Sequence, residues 1–451
     1  MDKSTAKLDV SHPTASETVQ QLSNALDSLA GGAGSFPAAL QVPVVGLRCW
    51  EWLEANPRAV RVAWSDRDSD SQTAGVGVAA EVAVLNKEEI GDCLNKCREQ
   101  LGDNPSLKWF GGFSFDRSES WQSFGAGKFV IPRFTLSGDT LTLAVMSGED
   151  IDRARRDLLA LRLDEHALGN TLPTPTSREY FPTVNGWQSR IDEALTMIQR
   201  EVIEKIVLSR KTVLRFDEKL NPIALSASLA QTTHDCFVFC FNFDTECAFV
   251  GATPEQLFLR TGNLLKSEVI AGTRMRGDTA AEDERLAIEL LTSDKDQREH
   301  DIVRKSIRQK LHQFIDHLDV DSQASILRLA RKQHLRSSVQ GELREGVDDG
   351  KLLQRLHPTP AVGGYPTENA LPEIARIEPF NRGWYAAPVG WISADSAQFA
   401  VAIRSGLIES DTLSLFSGAG IVRGSDPDQE WQEVENKIQD FMGILGCCSE
   451  S

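Results

Sequence analysis

The chain has 451 residues, 41% hydrophobic and 25% charged, enough to bury a large core in one domain or in two to three smaller ones. Its formal net charge of -17, from 48 basic against 65 acidic residues, argues against sequence-independent binding to nucleic acid or to anionic membranes. An anionic substrate would therefore need a local positive site.

Residues 1–40 are rich in Ser, Thr, Ala and Gly, and this composition predicts a flexible lead-in. It has no apolar signal core, and the longest apolar-rich run, near Val76, is broken by Glu81, so a cytoplasmic protein without a membrane span is expected. From 41 to 184 the pattern is short strand-like runs such as RVAWSD and KWFGGFSFD, with a helix expected around Lys87–Leu101. On that helix Cys93 and Cys97 share a face and read as reduced, partly buried thiols; the eight cysteines show no zinc-site spacing and no disulfide framework is expected. The GD dipeptide in LSGDTLTL predicts a hairpin. An Arg/Asp-rich helix, DIDRARRDLLALRLDEHAL, and a polar stretch with TLPTPTS follow, the latter a linker or a surface loop.

In the second half, 185–446, Ile191, Leu195, Ile198 and Val202 fall at helical spacing. Strand pairs return in IVLSRKTVLRF, DCFVFCFNFD and CAFVGATPEQLFLR, so two similar sheets sharing a single core are expected. A helix capped at Ser293 or Asp294 should run beyond Leu311 and bury Ile302, Val303, Ile307 and Leu311. The last helix starts at Ser425 or Asp426 with Pro427 near its first position. On it Trp431, Val434, Ile438, Phe441 and Leu445 form an apolar stripe, with Glu430, Glu433 and Lys437 on another face. Residues 447–451 form a tail.

Four charged residues carry the chemistry: Lys205 in EKIVLSR, Glu255 in GATPEQLFLR, Glu299 in DKDQREHDIVR and Glu433 in SDPDQEWQEVENK. Alone, Lys205 would cap a strand edge and Glu255 would be a solvated loop acid. Between them lie LHPTPAVGGYP, IEPFNRGWYAAPVGW, FAVAIRSG and FSGAGIVRGSDP, blocks dense in Gly, Pro and charge that suit backbone wrapped around a small anion.

In this order the blocks resemble the chorismate-utilising enzymes, strongly over 185–446 and in character only over the strand-rich first half. The resemblance implies an α/β (α+β) fold with large antiparallel sheets in a layered core, helices outside and the site between the sheets. It makes 185–446 the chorismate-binding half and implies an isomerase. Family members with lysine at the Lys205 position add water, whereas ammonia-adding members carry another residue. The implied reaction is isochorismate synthesis, with Lys205 as general base and Glu255 as general acid, toward menaquinone or catecholate siderophores. Salicylate synthase, which goes on to eliminate pyruvate, is the rival, and Ala361, where that branch tends to carry threonine, favours stopping at isochorismate. A silent chorismate-binding homologue would have lost one of the four residues.

The reaction needs a base that deprotonates incoming water and an acid that protonates the departing hydroxyl. Lysine must lose its proton to act, through burial or nearby positive charge, and Glu255 must keep its own. Glu299 and Glu433 are expected to bind Mg2+, which takes one or two carboxylates plus substrate oxygen and water. Asp296, Glu430 and Glu435 read as solvated or as supporting the metal ligands from behind, and Glu430, if it faces the metal, as holding a coordinated water. Arg404 is expected to grip the enolpyruvyl carboxylate through paired hydrogen bonds. Gly418, Ala419 and Gly420 would offer backbone N–H groups, Tyr385 a hydroxyl, and His357 a ring facing the substrate. Thr273 lies in AGTRMRG, where the family usually has proline at the Met275 position. A monomer is expected, with no obligatory glutaminase subunit.

Overall fold

Local signal and long-range pairing agree at the hairpin around Gly138. In the computed structural model, strands Phe134–Ser137 and Thr140–Val145 pair antiparallel with Ser137 opposite Thr140. Gly138, at φ 53°, supplies the left-handed backbone that a two-residue turn requires. The structure describes residues 14–447 except 33, 59, 85–89, 117–120, 122, 165–166, 170 and 330–331. The expected C-terminal tail beyond Cys447, the first residues of the expected lead-in and Lys87 of the predicted helix lie outside this set.

Among the described residues there are two large antiparallel sheets, one of twelve strands and one of ten. Each takes strands from both halves of the chain. In the first, Arg61–Ser65 pairs with Phe237–Asn242; in the second, Trp109–Phe113 pairs with Pro388–Ile392. The period of two along a strand divides the side chains between cores. Phe237, Phe239 and Phe241 join a cluster with Phe110, Phe129, Phe258 and Phe399 of the other sheet, while Val238 and Cys240 turn to a second cluster behind it. A third cluster gathers Trp187, Ile191, Ile374 and Val434. The single shared core expected from the strand pattern is thus joined by two more, because long helices cover the outer faces.

The lead-in expected to be flexible contains a helix. Ala15–Ala30 is a helix, with Thr14 and Glu17 forming a reciprocal capping box and Leu22, Leu26 and Leu29 buried. Its apolar spacing and cap override the polar composition. Helix Val184–Gln199 buries Ile191 and Ile198 as expected, but it ends before Val202, which is exposed. Helix Asp294–Leu311 is capped by Ser293, buries Val303, Ile307 and Leu311, and stops at Leu311. The Arg/Asp-rich helix spans Ile151–Leu159. Asp426 caps Pro427–Lys437, after which the chain breaks at Ile438 and resumes as Gln439–Ile444. Cys93 and Cys97 are fully buried rather than partly so. No helix among the described residues is long and apolar enough to cross a membrane.

Candidate active site

The chain crosses between the two sheets at Pro254–Glu255, linking strand Cys247–Thr253 to strand Gln256–Thr261, and again at Ala402–Arg404, linking Ser396–Val401 to Ser405–Glu409. The crossings lie side by side: the Val401 N–H donates to the Glu255 carbonyl at 3.0 Å, and the Ala252 N–H donates to the Arg404 carbonyl at 3.1 Å. Glu255 and Arg404 are thereby set at the junction of the sheets, where a cavity of about 890 Å3 opens. That size suits a small-molecule site. Arg404 holds φ 50°, a left-handed conformation that a side chain other than glycine adopts at some cost, and one often found at functional sites.

Lys205 begins strand Lys205–Arg215 and is completely buried. Its Nζ donates to Glu299 Oε1 at 2.7 Å, joining the sheet to helix Asp294–Leu311. Glu255 is 6% exposed, and burial, reinforced by the charge of Glu268, pushes its carboxyl up to about 8 against the opposing pull of Lys205 and Lys437. It is therefore largely protonated at neutral pH, as a proton donor requires. Glu268 is itself held by Arg67 and Arg336.

Helices Asp294–Leu311 and Pro427–Lys437 face each other across the cavity. Lys295 and Glu299 are one helical turn apart on the first, and Glu430, Glu433 and Lys437 share a face of the second. Lys295 Nζ donates to Glu430 Oε1 at 3.0 Å, and Lys437 Nζ donates to Glu433 Oε1 at 2.7 Å and to the Gly418 carbonyl at 2.8 Å. Burial alone would lower Lys295, but Glu430, Glu433 and Glu299 together hold it above the ordinary lysine value. Burial and the charge of Glu433 raise the Glu430 carboxyl, while Lys437 overcomes burial to hold Glu433 low. Three carboxylates thus act on one ammonium at the cavity. No group of three or more His, Cys, Asp or Glu among the described residues could hold a metal ion by itself, so Glu299 and Glu433 would hold one only with water and substrate oxygen filling the rest of its shell.

The cavity also gathers Arg404, Gly418, Gly420, Tyr385, Thr273 and Ala361. Tyr385 is stacked on Phe416 with ring centroids 5.3 Å apart. Gly420 is a close approach: a Cβ there would stand 2.7 Å from Glu299 Oε1 and 2.9 Å from Lys205 Cε. Gly420→Ala should push this pair aside and lower kcat by about 100-fold, because a displacement of ~1 Å is enough for that loss. Steady-state kinetics beside a melting curve checks this; unchanged kcat would mean the pair tolerates the methyl group.

Ala419, expected to offer its backbone N–H, turns its side chain into the third core cluster, because neighbours along a strand point to opposite faces. One expected substrate contact falls elsewhere. His357 does not line the cavity; its ring meets Phe115 edge-on at 5.5 Å, just past the end of helix Asp349–Leu356. Nor are the supporting acids solvated: Glu430 is 1% and Asp296 5% exposed, the latter paired with Arg274 at 2.7 Å. Glu435 lies outside the cavity and binds Arg178 and Arg210.

His334 is the main residue that sequence reasoning missed. Arg404 Nη2 donates to its Nε2 at 2.8 Å, and since arginine cannot accept, the ring proton sits on Nδ1, facing Thr273 Oγ1 at 3.0 Å and the Gly272 carbonyl at 3.2 Å. Burial and the Arg404 charge hold the ring well below the ordinary histidine value, hence neutral. The only trace in the sequence is the alternation in KQHLRSSV, which puts His334 and Lys332 on one strand face.

A model of the chorismate binding enzymes matches residues 37–446 of this chain. The chain belongs to the chorismate-binding enzyme family. Within that family it is 32% identical to the isochorismate synthase MenF of Bacillus subtilis, over 86% of this chain and 88% of that protein. It is 34% identical to the salicylate biosynthesis isochorismate synthase of Pseudomonas aeruginosa, over 89% and 90% respectively. The solved structure of MenF, the menaquinone-specific isochorismate synthase of Escherichia coli, superimposes with a TM-score of 0.84 at 31% identity, covering 94% of this chain and all of that one. The layered antiparallel fold expected of the family is the fold this chain has.

Proposed function

We propose that the protein is a Mg2+-dependent isochorismate synthase, an isomerase that adds water at C2 of chorismate and releases the C4 hydroxyl. The observation that carries this reading is a buried lysine amine bonded to Glu299 on the wall of the cavity that also holds Glu255, a carboxyl whose burial favours its protonated form. Lys205 takes a proton from water as its oxygen bonds to C2, both ring double bonds shift (C1=C2 to C1=C6 and C5=C6 to C4=C5), and the C4–O bond breaks. Glu255 protonates the departing hydroxyl, which leaves as water, and both residues exchange protons with solvent to reset. Arg404 orients the enolpyruvyl carboxylate, with His334 fixing the guanidinium. Glu299 and Glu433 would hold Mg2+, which when bound anchors the C1 carboxylate and draws charge from the ring. The names carried by the similar proteins support isochorismate as the product, and Ala361 on the cavity wall supports release before pyruvate elimination. Because water rather than ammonia is added, the reaction calls for no glutaminase partner.

The test is chromatography of products after incubation with chorismate and Mg2+. Isochorismate should form, stop forming with chelator and return with added Mg2+. Salicylate plus pyruvate would replace this reading with the lyase one, anthranilate formed only with ammonia would end the water-adding argument, and full activity in chelator would remove the metal.

A further inference from the structure

Most cations around the cavity already have a carboxylate partner. Lys205 has Glu299, Arg274 has Asp296, Lys295 has Glu430 and Lys437 has Glu433. Arg404 and Lys332 differ. Both line the cavity, both are buried, and neither makes an ion pair within 4.0 Å among the described residues. Arg404 donates to His334, whose ring is neutral and brings no compensating charge. Lys332 is 2% exposed, and its Nζ has no hydrogen-bond partner among the described residues. A buried ammonium left unsatisfied is costly, so its presence needs a reason.

Geometry places the two cations at one corner. Lys332 and His334 are two apart on strand Lys332–Leu343 and share a face, and His334 holds Arg404. Behind them lies a side cavity of about 10 Å3, lined by Lys332, Arg404, Cys236, Thr233 and Asp440 among others. It has room for about one water. Any larger anion meeting this charge must therefore come from the main cavity. Chorismate carries two carboxylates, and Glu299 and Glu433 with their metal would account for only one.

We propose that Lys332 and Arg404 form a paired-cation corner that binds the enolpyruvyl carboxylate, making Lys332 a determinant of affinity for the dicarboxylate substrate. This rests on the functional reading above. The charge environment agrees: burial, Arg404 and Lys437 lower the Lys332 amine to about 7 against the pull of Asp440 and Cys236, with neutral His334 alongside. Lys332 is thus charged below about 7 and loses its charge above it, so substrate capture weakens as pH rises.

The experiment compares the wild type with Lys332→Met and Lys332→Gln, measuring kcat and KM for chorismate between about pH 6 and 9, with melting curves. At about pH 6 both variants should show KM raised ~10-fold or more and kcat changed by less than ~3-fold. In the wild type kcat/KM should start to fall near pH 7; in both variants the fall should move toward the Glu255 value of about 8. Neither variant should melt earlier, since an unpartnered buried charge is being removed. Unchanged KM and pH profile, a loss confined to kcat, or collapse of both variants' stability would each overturn the role of Lys332. A wild type that does not convert chorismate at all would instead count against the parent reading.

Discussion

Replacing Lys205 with Ala should reduce isochorismate formation by about 100- to 10,000-fold, the usual contribution of a positioned base. Lys205 is fully buried, and its described hydrogen bond goes to Glu299, whose side chain keeps 17% exposure and so retains some hydration when its partner is lost. The melting temperature should therefore move far less than the rate. Lys205→Arg separates the two functions of the residue. It can keep an ion pair with Glu299 but cannot give up its proton, so it should preserve stability and lose turnover. Activity within about tenfold of wild type in both variants would assign the base elsewhere.

Glu255→Gln is expected to have an effect of similar size for the opposite reason. The amide has nearly the same shape but cannot protonate a leaving hydroxyl, so kcat should fall by about 100- to 10,000-fold while substrate binding persists. The same substitution has a signature in stability. A carboxyl raised from 4.5 to about 8 binds its proton more tightly in the folded protein. Stability is thus lost as pH rises from about 4.5 to about 8, by about 1.4 kcal/mol per pH unit for a single such group. In Glu255→Gln this dependence should be flatter, and the alkaline limb of the residual activity near pH 8 should vanish. A normal kcat, or a melting profile against pH identical to wild type, would show that Glu255 is neither the donor nor held protonated.

Much of the site was legible because its residues sit in contiguous blocks. Glu299 and Glu433 could be placed on helices from caps and spacing alone, and Gly418 and Gly420 stood out in FSGAGIVRG. The protonated state of Glu255 was less accessible, since it depends on Glu268 and on burial where two sheets meet. His334 and Lys332 were invisible for a related reason: a polar residue on a strand reveals its face only once the opposing layer is known. The placement of His357 outside the cavity lining and against Phe115 could not be read from the sequence, because Phe115 is far away along the chain. The helix at Ala15–Ala30 was hidden by composition, although its capping box was present in the letters.

The interleaving of the sheets also bears on how the chain is made. Strands Arg61–Ser65 and Trp109–Phe113 leave the ribosome early, yet their partners Phe237–Asn242 and Pro388–Ile392 arrive much later. Until then each presents unpaired backbone along the edge of an apolar strand, the kind that pairs with a neighbouring chain. A nascent first half is therefore an aggregation-prone intermediate rather than a self-sufficient unit, and cutting the gene between the halves should give two insoluble pieces that regain a soluble form only when produced together.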